Sequence, residues 1–172
     1  MANTTDTWDE SKDMMDFEKP EFHWAREGDR VALSEFFRQG GSVNAKNSKG
    51  YSLLMLAAYN DHWGTCAWLL QKGADVNSID ISGNSVLMGS CFKGHVRIVK
   101  LLMSAGADPF LQNCYGMTAL DLAKAFGRDD VVRVLTEDPF VTPERMSNVV
   151  RLMSRRSAIS PYKGKLRDDS LN

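Results

Sequence analysis

Three histidines, three cysteines and a set of regularly spaced aromatics are the residues of this 172-residue chain that could carry chemistry. His62, His95, Cys66 and Cys91 are ligand types that zinc takes, and a zinc site draws about four such donors together. Here they are spread over two copies of an internal repeat, in different roles, so no metal site is expected. Cys66 and Cys91 fall at inward-facing or small-residue positions and read as core thiols. Cys114 sits on a turn as the one expected exposed thiol, with no base placed beside it to activate it. Glycine-rich phosphate loops, G-x-S-x-G and H-E-x-x-H are all missing. No catalytic residue and no cofactor is therefore expected, and the chain reads as non-enzymatic. What remains is binding chemistry. Tyr51, Tyr59, Phe92, Tyr115 and Phe126 are candidates for it, since aromatics lose few rotamers on binding and dominate interface hot spots.

Composition narrows the classes further. With 43% hydrophobic and 25% charged residues, this is an ordinary soluble chain of one domain plus tails. No stretch approaches the roughly 18 apolar residues of a membrane span, so no membrane insertion is expected. The beginning of the chain shows no basic segment followed by an apolar run, so no secretory signal is expected. An odd number of cysteines without C-x-x-C spacing favours reduced thiols and a cytoplasmic location. The net charge of −1 hides an asymmetry. Residues 1–21 hold seven acids against two bases, residues 139–172 seven bases against three acids, and the body is balanced at twelve against twelve. A balanced body lacks the basic stripe of a nucleic-acid-binding domain, so no nucleic acid is expected. The charged ends read as solvated tails, or as segments that steer or contact partners or each other.

The elements that must position these residues come from one motif written repeatedly. Asn47-Ser-Lys-Gly50, Asp80-Ile-Ser-Gly83 and Asn113-Cys-Tyr-Gly116 recur with a step of 33, as do Gly73-Ala-Asp75 and Gly106-Ala-Asp108. A constant period of this size marks a solenoid of stacked units, and the chain resembles the ankyrin-repeat family. The expected fold is all-α, an ankyrin-repeat solenoid of about four repeats, the first and last atypical, with a C-terminal capping helix. Helices are expected near Leu53–Tyr59, Gly64–Gln71, Val86–Phe92, Val96–Ser104, Ala119–Phe126 and Asp129–Thr136. A worn first repeat starts at Pro20 and has its second helix near Arg30–Arg38. There Leu33, Phe36 and Phe37 should face inward and Arg30, Ser34, Glu35 and Arg38 outward.

The resemblance implies a protein-binding role on the concave surface. Carried over to this chain, its partner-binding positions are Tyr51, Asn84 and Met117 after the turn glycines, Tyr115 on a turn, and Tyr59, Asn60, Phe92, Lys93 and Phe126 at the inner-helix ends. Lys49 and Lys93 hint at a partner with acidic character. The resemblance also implies that His62 and His95 brace turns rather than react. The family's T-P-L-H is replaced by Ser52-Leu-Leu-Met55, Ser85-Val-Leu-Met88 and Thr118-Ala-Leu-Asp121, so its Thr–His bonding between repeats should be lost and softer methionine packing gained.

The expected division is an acidic disordered leader at 1–19, the repeat domain at 20–138, an amphipathic helix at 139–156 and a basic flexible tail at 157–172. The helix opens on the start signal Thr142-Pro143-Glu144 and would cover Val132 and Leu135. The leader, with Trp8, Met14, Met15 and Phe17, is a rival occupant of the groove. The partner expected is another protein, bound by a monomer acting as adaptor, inhibitor or regulator. Two alternatives remain at this point. One is a haem or small-ligand carrier using Tyr51 or Tyr59 with a histidine. The other is association of the basic C-terminal region with an anionic surface.

Overall fold

The computed structural model describes residues 19–137, and eight α-helices lie among them in four antiparallel pairs. In chain order they are α1 Pro20–Glu27, α2 Arg30–Arg38, α3 Leu53–Tyr59, α4 Trp63–Gln71, α5 Val86–Lys93, α6 Val96–Ser104, α7 Ala119–Ala125 and α8 Asp129–Glu137. The helices expected within the described residues are present, with ends shifted by one residue at α4, α5, α7 and α8. The chain divides into two compact units, up to Leu135 and from Thr136. Of the second, only Thr136 and Glu137 at the end of α8 are described. The expected leader (apart from Lys19), amphipathic helix and basic tail lie outside the described residues.

Local chemistry starts and stops these helices. The Ser52 and Ser85 hydroxyls accept from the backbone N–H of Met55 and Met88, and Thr118 accepts from Asp121. Each hydroxyl thereby satisfies one of the donors that a helix start leaves open. Before each cap a tight turn is held by one short side chain. Asn47 Oδ1 accepts from the N–H groups of Lys49 and Tyr51, Asp80 Oδ1 from Ser82 and Asn84, and Asn113 Oδ1 from Tyr115 and Met117.

The inner helices α1, α3, α5 and α7 stack in sequence, each with its outer helix behind it. Leu53 to Ala58 are all buried in α3, because α1, α5 and α4 cover it on three sides. The outer helices are one-sided: in α6 Ile98, Val99 and Leu102 are buried while Arg97 and Lys100 face water. Leu54, Leu87 and Leu120, one per repeat, join Leu69, Leu102 and Leu135 in a single core running through the stack. In the terminal pair Leu33 is buried, whereas Phe36 and Phe37 are half-buried. Phe37 stacks on Trp68 at 5.4 Å, and Glu35 pairs with Arg38 on the surface.

The Thr–His bonding between repeats is replaced by three other sets of ties. His62 and His95, at the starts of α4 and α6, place Nε2 at 2.6 Å and 3.1 Å from the carbonyls of Arg26 and Tyr59. Arg128 does the same work at the start of α8, donating from Nε to the Phe92 carbonyl at 3.0 Å. Each brace reaches back to the end of the preceding inner helix. The hairpins join through Ile81 N–H to Lys49 O and Cys114 N–H to Ser82 O. The loops join through Asn44 and Asn77, whose Oδ1 atoms accept from Asp75 and Asp108 N–H.

Candidate partner-binding groove

The period of 33 makes the groove legible as columns. Arg26, Tyr59, Phe92 and Ala125 share one position at the ends of the inner helices, and His23, Leu56, Gly89 and Leu122 share another. Stacking the helices lays each column along the open side of the array.

In the first column two rings meet, and Phe126, one residue past Ala125, joins them. Tyr59 and Phe92 lie nearly parallel, 11° apart, with centroids at 6.3 Å. Phe126 meets Phe92 edge-on at 4.5 Å. Offset-parallel and edge-to-face contacts are the arrangements that the aromatic quadrupole favours. Tyr59 and Phe126 are 42% and 49% exposed, so the row is partly wet. Phe92 differs from the expectation that it faces solvent: held between the two other rings, it is half-buried. Lys93 places its ammonium 4.9 Å from the Tyr59 ring centroid, a cation–π contact.

The second column makes a hollow. Leu56 and Leu122 fill their positions, but Gly89 between them has no side chain. A cavity of about 450 Å3 opens there, walled by Met55, Leu56, Tyr59, Met88, Phe92 and Leu122. It falls within the size range of small-ligand pockets, and apolar walls with a few polar groups are their usual lining. Gly89 is not demanded by the backbone. A Cβ built on it meets only Tyr59 Cδ2, at an ordinary 3.7 Å. A glycine inside a helix costs about 0.5–1 kcal/mol relative to alanine. The fold therefore bears a cost at Gly89 that the packing does not require.

Polar groups edge the cavity. Arg26 and Lys93 bring positive charge, Arg26 as part of the lining and Lys93 beside Tyr59. The Asp80 carboxylate also lines it but is engaged internally: besides its two backbone bonds, Oδ2 accepts from the Asn84 amide at 3.0 Å. Asn84 Oδ1 in turn accepts from Asn113 at 2.9 Å. Asn60 donates to the Leu56 carbonyl and closes the end of α3.

Of the nine residues expected at a partner site, the structure brings Tyr51, Tyr59, Asn60, Asn84 and Phe92 to this cavity. Lys93 and Phe126 join through the aromatic row. Tyr115, 79% exposed on a hairpin tip, and Met117, half-buried, are not in its lining. Tyr51 is half-buried rather than open to water. Sequence reasoning missed Gly89, Leu56, Leu122 and Arg26 as groove residues. The signal was available: reading down the column at Gly89 exposes a missing side chain between two leucines.

Elsewhere the reactive residues are quiet. His62 and His95 spend Nε2 on the braces, and His95 Nδ1 lies 3.7 Å from Asp61 Oδ1. Burial pushes the Cys91 thiol up to about 12. Burial, reinforced by the negative charge of Asp61, raises Cys66 equally. Among the described residues no cluster of three metal-ligating side chains occurs, and no helix is long and apolar enough to cross a membrane.

A family description, ankyrin repeats in three copies, matches residues 54–144, more than half of the chain. The chain belongs to the ankyrin-repeat family. The first helix pair, α1 and α2, precedes the matched segment, yet it is tied to the next by the same kind of brace, from His62, and by Thr65 donating to the Gly28 carbonyl at 3.0 Å. No curated protein matches the chain. Ankyrin repeats are in general protein–protein interaction modules, and this is the functional class the family sets.

Proposed function

We propose that this ankyrin-repeat protein is a non-catalytic adaptor, inhibitor or regulatory protein that captures a partner protein on its groove, and that it acts as a cytoplasmic monomer. The observation that carries the reading is the Tyr59–Phe92–Phe126 row, partly open to water beside an apolar cavity. Aromatic anchors next to a desolvated pocket are the places where interface energy concentrates. The core does not need the exposed faces of these rings, because the leucine columns behind them are already buried.

The test pairs binding with stability. Tyr59→Ala together with Phe92→Ala should abolish capture of the partner, identified by mass spectrometry after affinity purification with the unchanged chain. The circular dichroism melt should fall by no more than about 1–2 kcal/mol, since half-exposed rings bury only part of their area. A partner retained in full by the double variant would remove the groove from the function.

A further inference from the structure

We infer that the hollow at Gly89 is a socket for one large apolar side chain, presented by an acidic segment of the partner protein. This rests on the reading of the groove as the capture surface and names what it takes. Three observations converge. Leu56 and Leu122 occupy the positions before and after Gly89, so the missing side chain and not the backbone path creates the space. Neither positive φ nor crowding explains the glycine, whose nearest neighbour for a Cβ is Tyr59 at 3.7 Å. The walls include Met55, whose thioether adapts to aliphatic or aromatic guests, with the fully buried Met88 behind it.

Charge selects the surroundings of that side chain. Lys93 holds its ammonium over the Tyr59 ring and Arg26 lies in the cavity wall. The Asp80 carboxylate, the acid in the lining, already accepts three hydrogen bonds from its own turn. A segment with carboxylates flanking its apolar residue meets the Lys93 ammonium at the edge of the cavity, while the Asp80 carboxylate stays bound to its own turn, and a basic segment meets repulsion from Lys93.

Glycine 89 also makes the test clean, because leucine has a precedent on either side. The probe is a short synthetic peptide with one phenylalanine flanked by glutamates, titrated into the full chain while the Met55 and Met88 methyl resonances are followed. Those resonances should shift. Replacing the phenylalanine by serine, or the glutamates by lysines, should weaken binding about tenfold or more. Gly89→Leu should fill the socket, keep the melt and weaken the peptide about tenfold or more. Gly89→Ala, which adds one methyl group together with helix propensity, should raise the melt and weaken the peptide less than Gly89→Leu does, which separates filling from helix propensity. Equal binding by wild type and Gly89→Leu overturns the socket, as does indifference to the phenylalanine. Methyl shifts caused in the full chain by Trp8→Ala with Phe17→Ala, without peptide, would give the socket to the chain's own leader and also overturn the assignment. Loss of partner capture on changing Tyr59 and Phe92, with peptide binding untouched by Gly89→Leu, fails the socket and leaves the groove standing.

Discussion

Cys66 and Cys91 differ from Cys114 in what their surroundings can hold. A thiolate needs water or a cation beside it, and the two buried thiols have neither, so both are raised to about 12. At about pH 8 only about one in ten thousand of either would be ionised. A thiol reagent added to the native protein should therefore label one cysteine, Cys114, and reach all three only after denaturation. Labelling of Cys91 in the native protein at a rate like that of Cys114 would contradict its place in the core. The same attention to single residues separates the partner-site expectations. Asn84 is largely spent between Asp80 and Asn113, whereas Tyr59 keeps 42% of its surface open. Both occupy partner-binding positions of the repeat, and position alone does not say which polar side chains the hairpins consume.

The turn from inner to outer helix requires a left-handed residue in every pair. Gly28, Gly94 and Gly127 supply it at φ of 71°, 84° and 64°, but Asp61 does so at 62°. A side chain there is strained by roughly 1 kcal/mol or more. The brace beside it is also longer, 3.1 Å at His95 against 2.6 Å at His62, consistent with the Asp61 Cβ crowding the following ring. Asp61→Gly should raise stability by about 1 kcal/mol and the melting temperature by about 4 °C, read by a thermal melt. A lower melting temperature would mean that the partly exposed Asp61–His95 contact outweighs the strain. These braces also show why losing the family's Thr–His bonding leaves the stack intact. The outer-helix starts took over the coupling, and Arg128 serves where the earlier repeats have histidine.

Among the described residues the main helix contacts run within a pair or between neighbouring pairs, so stability is close to a sum of units and interfaces. Leu87 lies in the interior of α5, which packs on both α3 and α7. Leu87→Ala should cost about 2–5 kcal/mol and weaken the middle of the stack from both sides. Of the four tryptophans, Trp24, Trp63 and Trp68 stand in the first two pairs and Trp8 precedes them. Tryptophan fluorescence therefore follows the N-terminal half, whereas circular dichroism follows all helices. In urea the two transitions should coincide for the unchanged chain and separate for Leu87→Ala. Coincident transitions in the variant would show that coupling along the stack survives a damaged centre.

Much of this architecture is readable without coordinates. The step of 33 repeats every local signal several times: an Asx turn, a hydroxyl cap, a buried leucine and a terminating glycine. The seven helices α2 to α8 fall within one residue of their expected bounds for that reason, and the turn-bracing role of His62 and His95 is what the family resemblance implies. The groove was legible only in part. Tyr59, Phe92 and Phe126 are far apart in the chain, and whether their rings spread into water or close on one another depends on the separation of stacked helices. That separation left Phe92 half-buried and Tyr59 open. The hollow at Gly89 is a property of no single repeat. It exists because three adjacent helices leave a gap that two leucines border and one glycine fails to fill, and only their packing in space decides the size of such a gap.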